Sequence, residues 1–269
     1  MFALLLALSL SFSAFAQSKP ADFDADGTVG FNDFLAFAEA FGSTQTAFDL
    51  DTSGMVDFGD FLIFVEAFSA DNAPAVSSAS YRVTFESTWS ESTHPTDFPQ
   101  FGLAHYSRLV GATHNANANA TFWADGEAAT EGIKQMAESG QTGALNGEVN
   151  TAITSGTAAA VLLGMDLDPT PGSTSFTFDI DENHPLVTLV TMIAPSPDWF
   201  LGVSGVNLFE GGAWVDKVTV TLGPWDAGTD SGTTYVSEDQ ATSPPGTIRE
   251  ISGGPFSSQP LGTFTFEKQ

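Results

Sequence analysis

The chain has 269 residues, 33 of them Asp or Glu against 7 Lys or Arg, for a formal net charge of -26. That imbalance disfavours nucleic acid and anionic membranes and makes cations the expected partners. Hydrophobic residues make up 42% of the chain, with 24 phenylalanines and no cysteine, so a packed core is affordable. Disulfides, thiolate metal sites and a cysteine nucleophile are excluded.

In chain order, residues 1–16, "MFALLLALSLSFSAFA", are apolar and end on Ala14 and Ala16, the small-residue pattern read by a signal peptidase before Gln17. As a helix the run would reach ~24 Å, short of the ~30 Å hydrocarbon core. It therefore predicts a secreted, extracellular or cell-surface protein with no stable membrane span, although no basic residue precedes the apolar stretch.

Two segments then repeat with a period of 27, "DFDADGTVGFNDFLAFAEAFG" from Asp22 and "DLDTSGMVDFGDFLIFVEAFS" from Asp49. Asp22, Asp24, Asp26 and Asp33 fall at positions 1, 3, 5 and 12 of a calcium loop, Gly27 takes the sharp turn and Thr28 offers its carbonyl. The second copy supplies Asp49, Asp51, Ser53, Met55 through its carbonyl, Asp57 and Asp60, with Gly54 at the turn. Crowded carboxylates repel one another without an ion, so calcium binding and folding are expected to be coupled. Phe34, Phe37, Ala38 and Phe41, then Phe61, Phe64, Val65 and Phe68, fall at helical spacing and predict two short exiting helices that pack on each other.

No helix precedes the first loop, because Pro20 stands just before Asp22. This loop-plus-exiting-helix unit over residues 22–69 resembles the dockerin family more than a full EF-hand, and the resemblance implies two bound calcium ions and a possible cohesin-like receptor. It departs from that family at loop positions 10 and 11, where Phe31 and Asn32, then Phe58 and Gly59, replace a small hydroxyl pair. A solvated acidic turn that binds nothing is the alternative.

"ADNAPAVSSAS" from Ala70 has linker composition. Beyond it, Tyr81, Val83, Phe85 and Trp89 alternate with polar residues, as do Phe176, Phe178 and Ile180, then Val218, Val220 and Leu222, and finally Phe264 and Phe266. The stretch 125–139 has helical composition and stops at Gly140. Many strands, one inserted helix and no βαβ rhythm predict a mainly β protein, an antiparallel β-sandwich behind a small α-helical N-terminal domain. The expected boundaries are 1–16 signal peptide, 17–69 paired calcium loops, 70–79 linker and 80–269 sandwich.

The blocks "FESTWSESTHPTDFP", "HYSRLVGATHNA", "GEAATEGIKQMAESG", "APSPDWFLGVSGVNLFEGGAW" and "GPWDAGTDSGTTY" keep their order over nearly all of residues 80–269. This part of the chain resembles the spondin N-terminal domain family. The resemblance implies an eight-stranded sandwich for extracellular adhesion and recognition, with one calcium held at one end by Asp198, Asp226 and Asp230; the expected partner is an extracellular protein, and the alternative is a scaffold-docked subunit whose repeat binds a cohesin-like receptor while the sandwich binds polysaccharide. Within "GPWDAGTDSGTTY" no Lys or Arg neutralises the two carboxylates, Gly228 and Gly232 let the loop turn back, and Trp199 and Trp225 are expected to pack beneath it. From spacing alone, an acidic hairpin tip serving solubility explains these residues equally well.

Nothing assembles into an enzyme. "TDSGT" superficially resembles a serine-protease nucleophile loop, but no G-x-S-x-G elbow or H-E-x-x-H occurs, and His94, His105, His114 and His184 stand apart from one another. Lone histidines of this kind are expected to be hydrogen-bonded structural groups. Asn119 in "NAT" is a glycosylation acceptor only in a eukaryotic host.

Overall fold

The structure, a computed structural model, describes residues 19–72, 76–117 and 122–269. The expected signal peptide at 1–16 and the acceptor Asn119 lie outside the described residues. The chain divides into two compact units, residues 1–75 and 76–269.

In the first unit, helices α1 (Phe31–Ala40) and α2 (Phe58–Asn72) each follow an acidic loop. The twelfth loop residue, Asp33 or Asp60, is the third residue of each helix. Asp33 Oδ2 accepts the Gly30 N–H at 2.7 Å and Asp60 Oδ2 accepts the Asp57 N–H at 2.8 Å, so each carboxylate satisfies a donor that the helix leaves unpaired. The buried core comprises Ala21, Val29, Phe37, Ala40, Val56 and Phe64, with the Phe37 and Phe64 rings stacked at 5.4 Å. The apolar stripes are only partly used: Phe37 and Phe64 are buried, whereas Phe34, Phe41 and Val65 remain exposed, and Ala40 rather than Ala38 faces inward. Two phenylalanine-rich helices this short present more apolar surface than a single shared seam can cover.

Helix α2 runs to Asn72 and strand β1 begins at Ser78, so both neighbours encroach on the connection expected at 70–79. Asp71 and Asn72 explain the extension. The Asp71 carboxylate accepts the Val29 N–H at 2.6 Å and pairs with Lys19 at 2.7 Å, and Asn72 Nδ2 donates to the Val29 carbonyl at 2.8 Å. These bonds fold the end of α2 back onto the first loop.

The second unit contains β1 (Ser78–Ser87), β2 (His105–Tyr106), β3 (Val110–His114), α3 (Glu131–Ser139), α4 (Gly143–Thr154), β4 (Ala158–Leu163), β5 (Gly172–Asp181), β6 (Leu186–Ala194), β7 (Trp199–Asn207), β8 (Phe209–Glu210), β9 (Ala213–Trp214), β10 (Lys217–Leu222), β11 (Trp225–Asp226), β12 (Arg249–Glu250) and β13 (Gly262–Lys268). One sheet has the order β10-β13-β1-β5 and the other β12-β11-β7-β6-β3-β4, with β2 beside β6. All pairings are antiparallel. Four of the longer strands lie in each sheet, in agreement with an eight-stranded sandwich.

Alternation in β1 turns Tyr81, Val83 and Phe85 inward, where Phe85 opposes Phe264 with ring centroids 5.2 Å apart. Burying each such ring contributes about 2–3 kcal/mol. Strand β1 stops at Ser87, so Trp89, although fully buried, packs from the following turn. Strand β6 is buried on both faces: Leu189 and Ile193 join the inter-sheet core, while Val190 and Met192 join a second core with Ile133 and Met136 of α3 and Leu145 and Val149 of α4. The unit therefore has three layers, and two helices stand where one was expected. Helix α3 starts at Glu131 rather than near Asp125, because the Thr130 hydroxyl accepts the Ile133 N–H at 3.1 Å as its N-cap. Glu148 of α4 ties the pair together, accepting from the Gly132 N–H at 2.7 Å and the Thr130 hydroxyl at 2.8 Å.

Candidate metal centres

The two acidic loops adopt one conformation twice. Gly27 and Gly54 both have φ 97, and the residues two before them, Ala25 and Thr52, have φ 60 and 61. Only glycine takes the first value without strain, which explains its place in both copies. In each loop the first aspartate accepts the turn glycine's N–H, Asp22 from Gly27 at 3.1 Å and Asp49 from Gly54 at 2.8 Å. Carboxylate oxygens of Asp22, Asp24 and Asp33 lie within 4.8 Å of one another, as do those of Asp49, Asp51 and Asp60. Each pair at that distance repels by ~1 kcal/mol in water and about 3 kcal/mol at an effective dielectric of about 20.

Asp26 stands outside the first trio, with its Oδ1 held by the Thr28 N–H at 2.8 Å and hydroxyl at 2.7 Å. The Thr28 hydroxyl, then its N–H, hold the Asp26 carboxyl below its ordinary range. Ser53 turns its hydroxyl to the Met55 carbonyl at 3.1 Å. Burial alone would raise the Asp60 carboxyl, but N–H donors from Asp57, Asp51 and Leu50 outweigh it and keep the group ionised. Oδ1 of Asp22 is shut off from solvent and has no donor.

At one end of the sandwich, Asp198 immediately precedes β7, Asp226 lies in β11 and Asp230 in the loop that follows. Asp198 is fully buried; its Oδ2 accepts the N–H groups of Thr229 at 2.7 Å and Asp230 at 3.0 Å, while Oδ1 has no partner. Burial first, opposed by the Asp230 and Thr229 donors and reinforced by the Asp226 charge, pushes its pKa up to about 6. Asp230 accepts from Gly232 at 2.7 Å and Gln240 at 2.6 Å, and Asp226 from Gly228 at 2.7 Å. The three carboxylates do not converge within 4.8 Å as the loop trios do.

Two expectations about this loop are corrected. Asp226 is neutralised after all, by Arg249 Nη2 at 3.2 Å, because β12 pairs with β11 and sets Arg249 opposite Asp226. It is the one basic residue between Lys217 and Lys268, and that scarcity is the only signal by which sequence could have found it. Of the two glycines, only Gly228 (φ 74) makes the turn; a Cβ at Gly232 would instead come within 2.6 Å of Pro197. Trp199 packs on Tyr235 and Phe256 at 5.4 and 5.2 Å, while Trp225 meets Trp123 at 5.0 Å.

The histidines have structural surroundings. His94 accepts the Ser257 N–H at 3.0 Å, and His114 lies 2.8 Å from the Thr188 hydroxyl. Burial pushes both below their usual range. Among the described residues no histidine joins a metal-binding group, and the Ser231 hydroxyl donates to the Gln240 carbonyl rather than to an imidazole.

The sequence pattern of the family described as Spondin_N matches residues 79–264. The chain belongs to that family. Spondin-2 of Rattus norvegicus is 35% identical over 192 residues, 71% of this chain and 57% of the relative, and Spondin-2 of Homo sapiens 33% over the same shares. Spondin-1 of Gallus gallus is 38% identical over 186 residues, 66% of this chain and 22% of the relative. The chain thus spans just over half the length of Spondin-2 and under a quarter of that of Spondin-1. Asp198, Asp226 and Asp230 lie inside the Spondin_N match, whereas both acidic loops precede it.

Among the described residues no helix is long and apolar enough to cross a membrane.

Proposed function

We propose that the chain is an exported, non-enzymatic calcium-binding protein of extracellular adhesion or recognition, whose Spondin_N sandwich (80–269) binds a protein or polysaccharide ligand. Two carboxylate oxygens carry this reading, Asp22 Oδ1 and Asp198 Oδ1, each closed to solvent and without a donor. Leaving such an oxygen unpaired costs about 1–3 kcal/mol, more when charged, and a hard divalent cation is the partner that oxygen ligands and an acidic chain favour. Residues 19–72 carry eleven acidic side chains against Lys19 alone, so the loops gain most from an ion.

In this account Asp22, Asp24, Asp26 and Asp33 with the Thr28 carbonyl hold one calcium, and Asp49, Asp51, Ser53 and Asp60 with the Met55 carbonyl a second. Asp198, Asp226 and Asp230 hold a third. Calcium supplies charge compensation there, while the chain's own N–H donors orient the carboxylates. Surfaces coated with the full chain are expected to capture cells or matrix in calcium and to lose capture in chelator. Capture indifferent to chelator would overturn the calcium-dependent reading.

A second reading is favoured by one observation. Phe31, Leu35, Phe58 and Leu62 occupy equivalent places in the two repeats and are all exposed. Such a duplicated apolar face suits a cohesin-like receptor, making the chain a scaffold-docked subunit. Failure of residues 17–75 to pull down a cohesin-like protein in saturating calcium would eliminate it.

A further inference from the structure

The second sheet has an open edge. Strand β7 pairs with β6 along Phe200–Asn207, but on its other side β11 reaches only Trp199 and Phe200. β11 extends no further because Gly223 and Pro224 carry the chain across from β10, which is itself the end strand of the other sheet. Among the described residues no strand pairs with that side of β7 from Leu201 to Asn207. Unpaired strand edges are templates for an incoming strand, and proteins commonly guard them with lysine or proline. Leu201–Asn207 contains neither; Leu201–Val203 are buried, and the accessible part is Ser204–Asn207, where Gly205 (φ 69) stands at a bulge against β6.

A cleft of about 510 Å³ lies against this edge. On one face Trp123 and Trp225 meet at 5.0 Å, and on the other stand Val203, Val206 and Val220. Its rim carries Asp125 and Glu250, both exposed and neither in an ion pair among the described residues. No lysine or arginine lines it. Indole faces attract cations, and two free carboxylates beside them add to that attraction.

We propose that the β7 edge and its cleft receive an extended, basic peptide segment of a partner protein by strand addition. The peptide backbone pairs with β7, and because successive side chains of a strand point to opposite faces, alternate residues meet the tryptophans and the valines. An arginine or lysine on the tryptophan face lies on the half-buried Trp225, which the buried Trp123 backs at 5.0 Å, with Asp125 and Glu250 beside its charge. This gives the recognition reading a surface and a class of ligand, and rests on that reading only for the extracellular origin of the partner. It does not involve the calcium sites.

The test titrates the full chain calorimetrically, in salt of about 0.15 M to screen general attraction, with a seven-residue alternating Thr/Arg/Val peptide. Comparison peptides carry Glu for Arg, or N-methyl groups on alternate backbone nitrogens. Amide shifts are followed by NMR. Strand addition predicts binding of the basic peptide alone, shifts centred on 201–207, and about three- to tenfold weaker binding to Asp125→Asn/Glu250→Gln. Both substitutions are at exposed side chains, so the fold is retained. No binding of the basic peptide, equal binding of the acidic or N-methylated one, or undiminished binding to the double variant would each overturn the proposal. Because each titration is repeated in chelator, strand addition can hold while calcium-dependent adhesion fails, and the reverse.

Discussion

Replacing Asp198 by Asn separates the two roles of that carboxylate. Without metal it is a burden: the side chain is 0% exposed, and burial pushes its pKa from 3.8 up to about 6. Holding the charge above that pH costs the folded state about 3 kcal/mol. Because the folded value is raised, this carboxyl's own contribution to the stability of the chelated protein is fully present below about pH 4 and is lost as pH rises through about 6. Asn keeps an oxygen to accept from Thr229 and Asp230 but sets an amide N–H₂ where Oδ1 has no partner, at a cost of about 1–2 kcal/mol. The net expectation in chelator at about pH 7.5 is a gain of about 1–2 kcal/mol, or roughly 2–6 °C in Tm for a domain of this size. Saturating calcium should reverse the sign, because the variant then lacks a ligand. Thermal melts followed by near-ultraviolet circular dichroism, in chelator and in calcium at about pH 4 and 7.5, measure both effects. A chelated variant less stable than wild type at the higher pH, or equal stabilisation of both proteins by calcium, would refute the reasoning.

Three further outcomes are expected. Gly228→Ala should destabilise the sandwich by about 2–4 kcal/mol in urea, since the backbone has φ 74 and a Cβ would stand 2.8 Å from the Gly246 carbonyl carbon. Glu148→Gln should cost about 1–2 kcal/mol by the same assay, because the carboxylate at the start of α3 accepts from both Gly132 and Thr130. Arg249→Gln frees Asp226 Oδ2 and should tighten calcium at the sandwich up to about fivefold in a calorimetric titration, the range of an exposed ion pair.

Local patterns were the legible part of the sequence. Tyr81, Val83 and Phe85 announce β1 because one face of that strand meets the core and the other meets solvent. Strands β6 and β7 give no such alternation, since helices cover their outer face and both sides select apolar residues. Helix α4 was hidden for a related reason: Gly143, Gly147 and four threonine or asparagine residues weaken its helical signature, and packing against β3 and β4 stabilises it instead. The same distinction holds for the sites. Each acidic loop carries its carboxylates within twelve residues, so spacing alone brings them to notice. Asp198 and Asp230 are separated by 32 positions, and only family resemblance joined them in sequence. Arg249 reaches Asp226 through a two-residue strand pairing that no local pattern encodes.

Calorimetric titration of calcium into the chelator-stripped full chain counts the ions it binds. The account predicts about three sites, two of them lost in Asp22→Ala/Asp49→Ala and one in Asp226→Ala. A stoichiometry of two that Asp226→Ala leaves unchanged would contradict the sandwich site, and absence of binding would contradict the account as a whole.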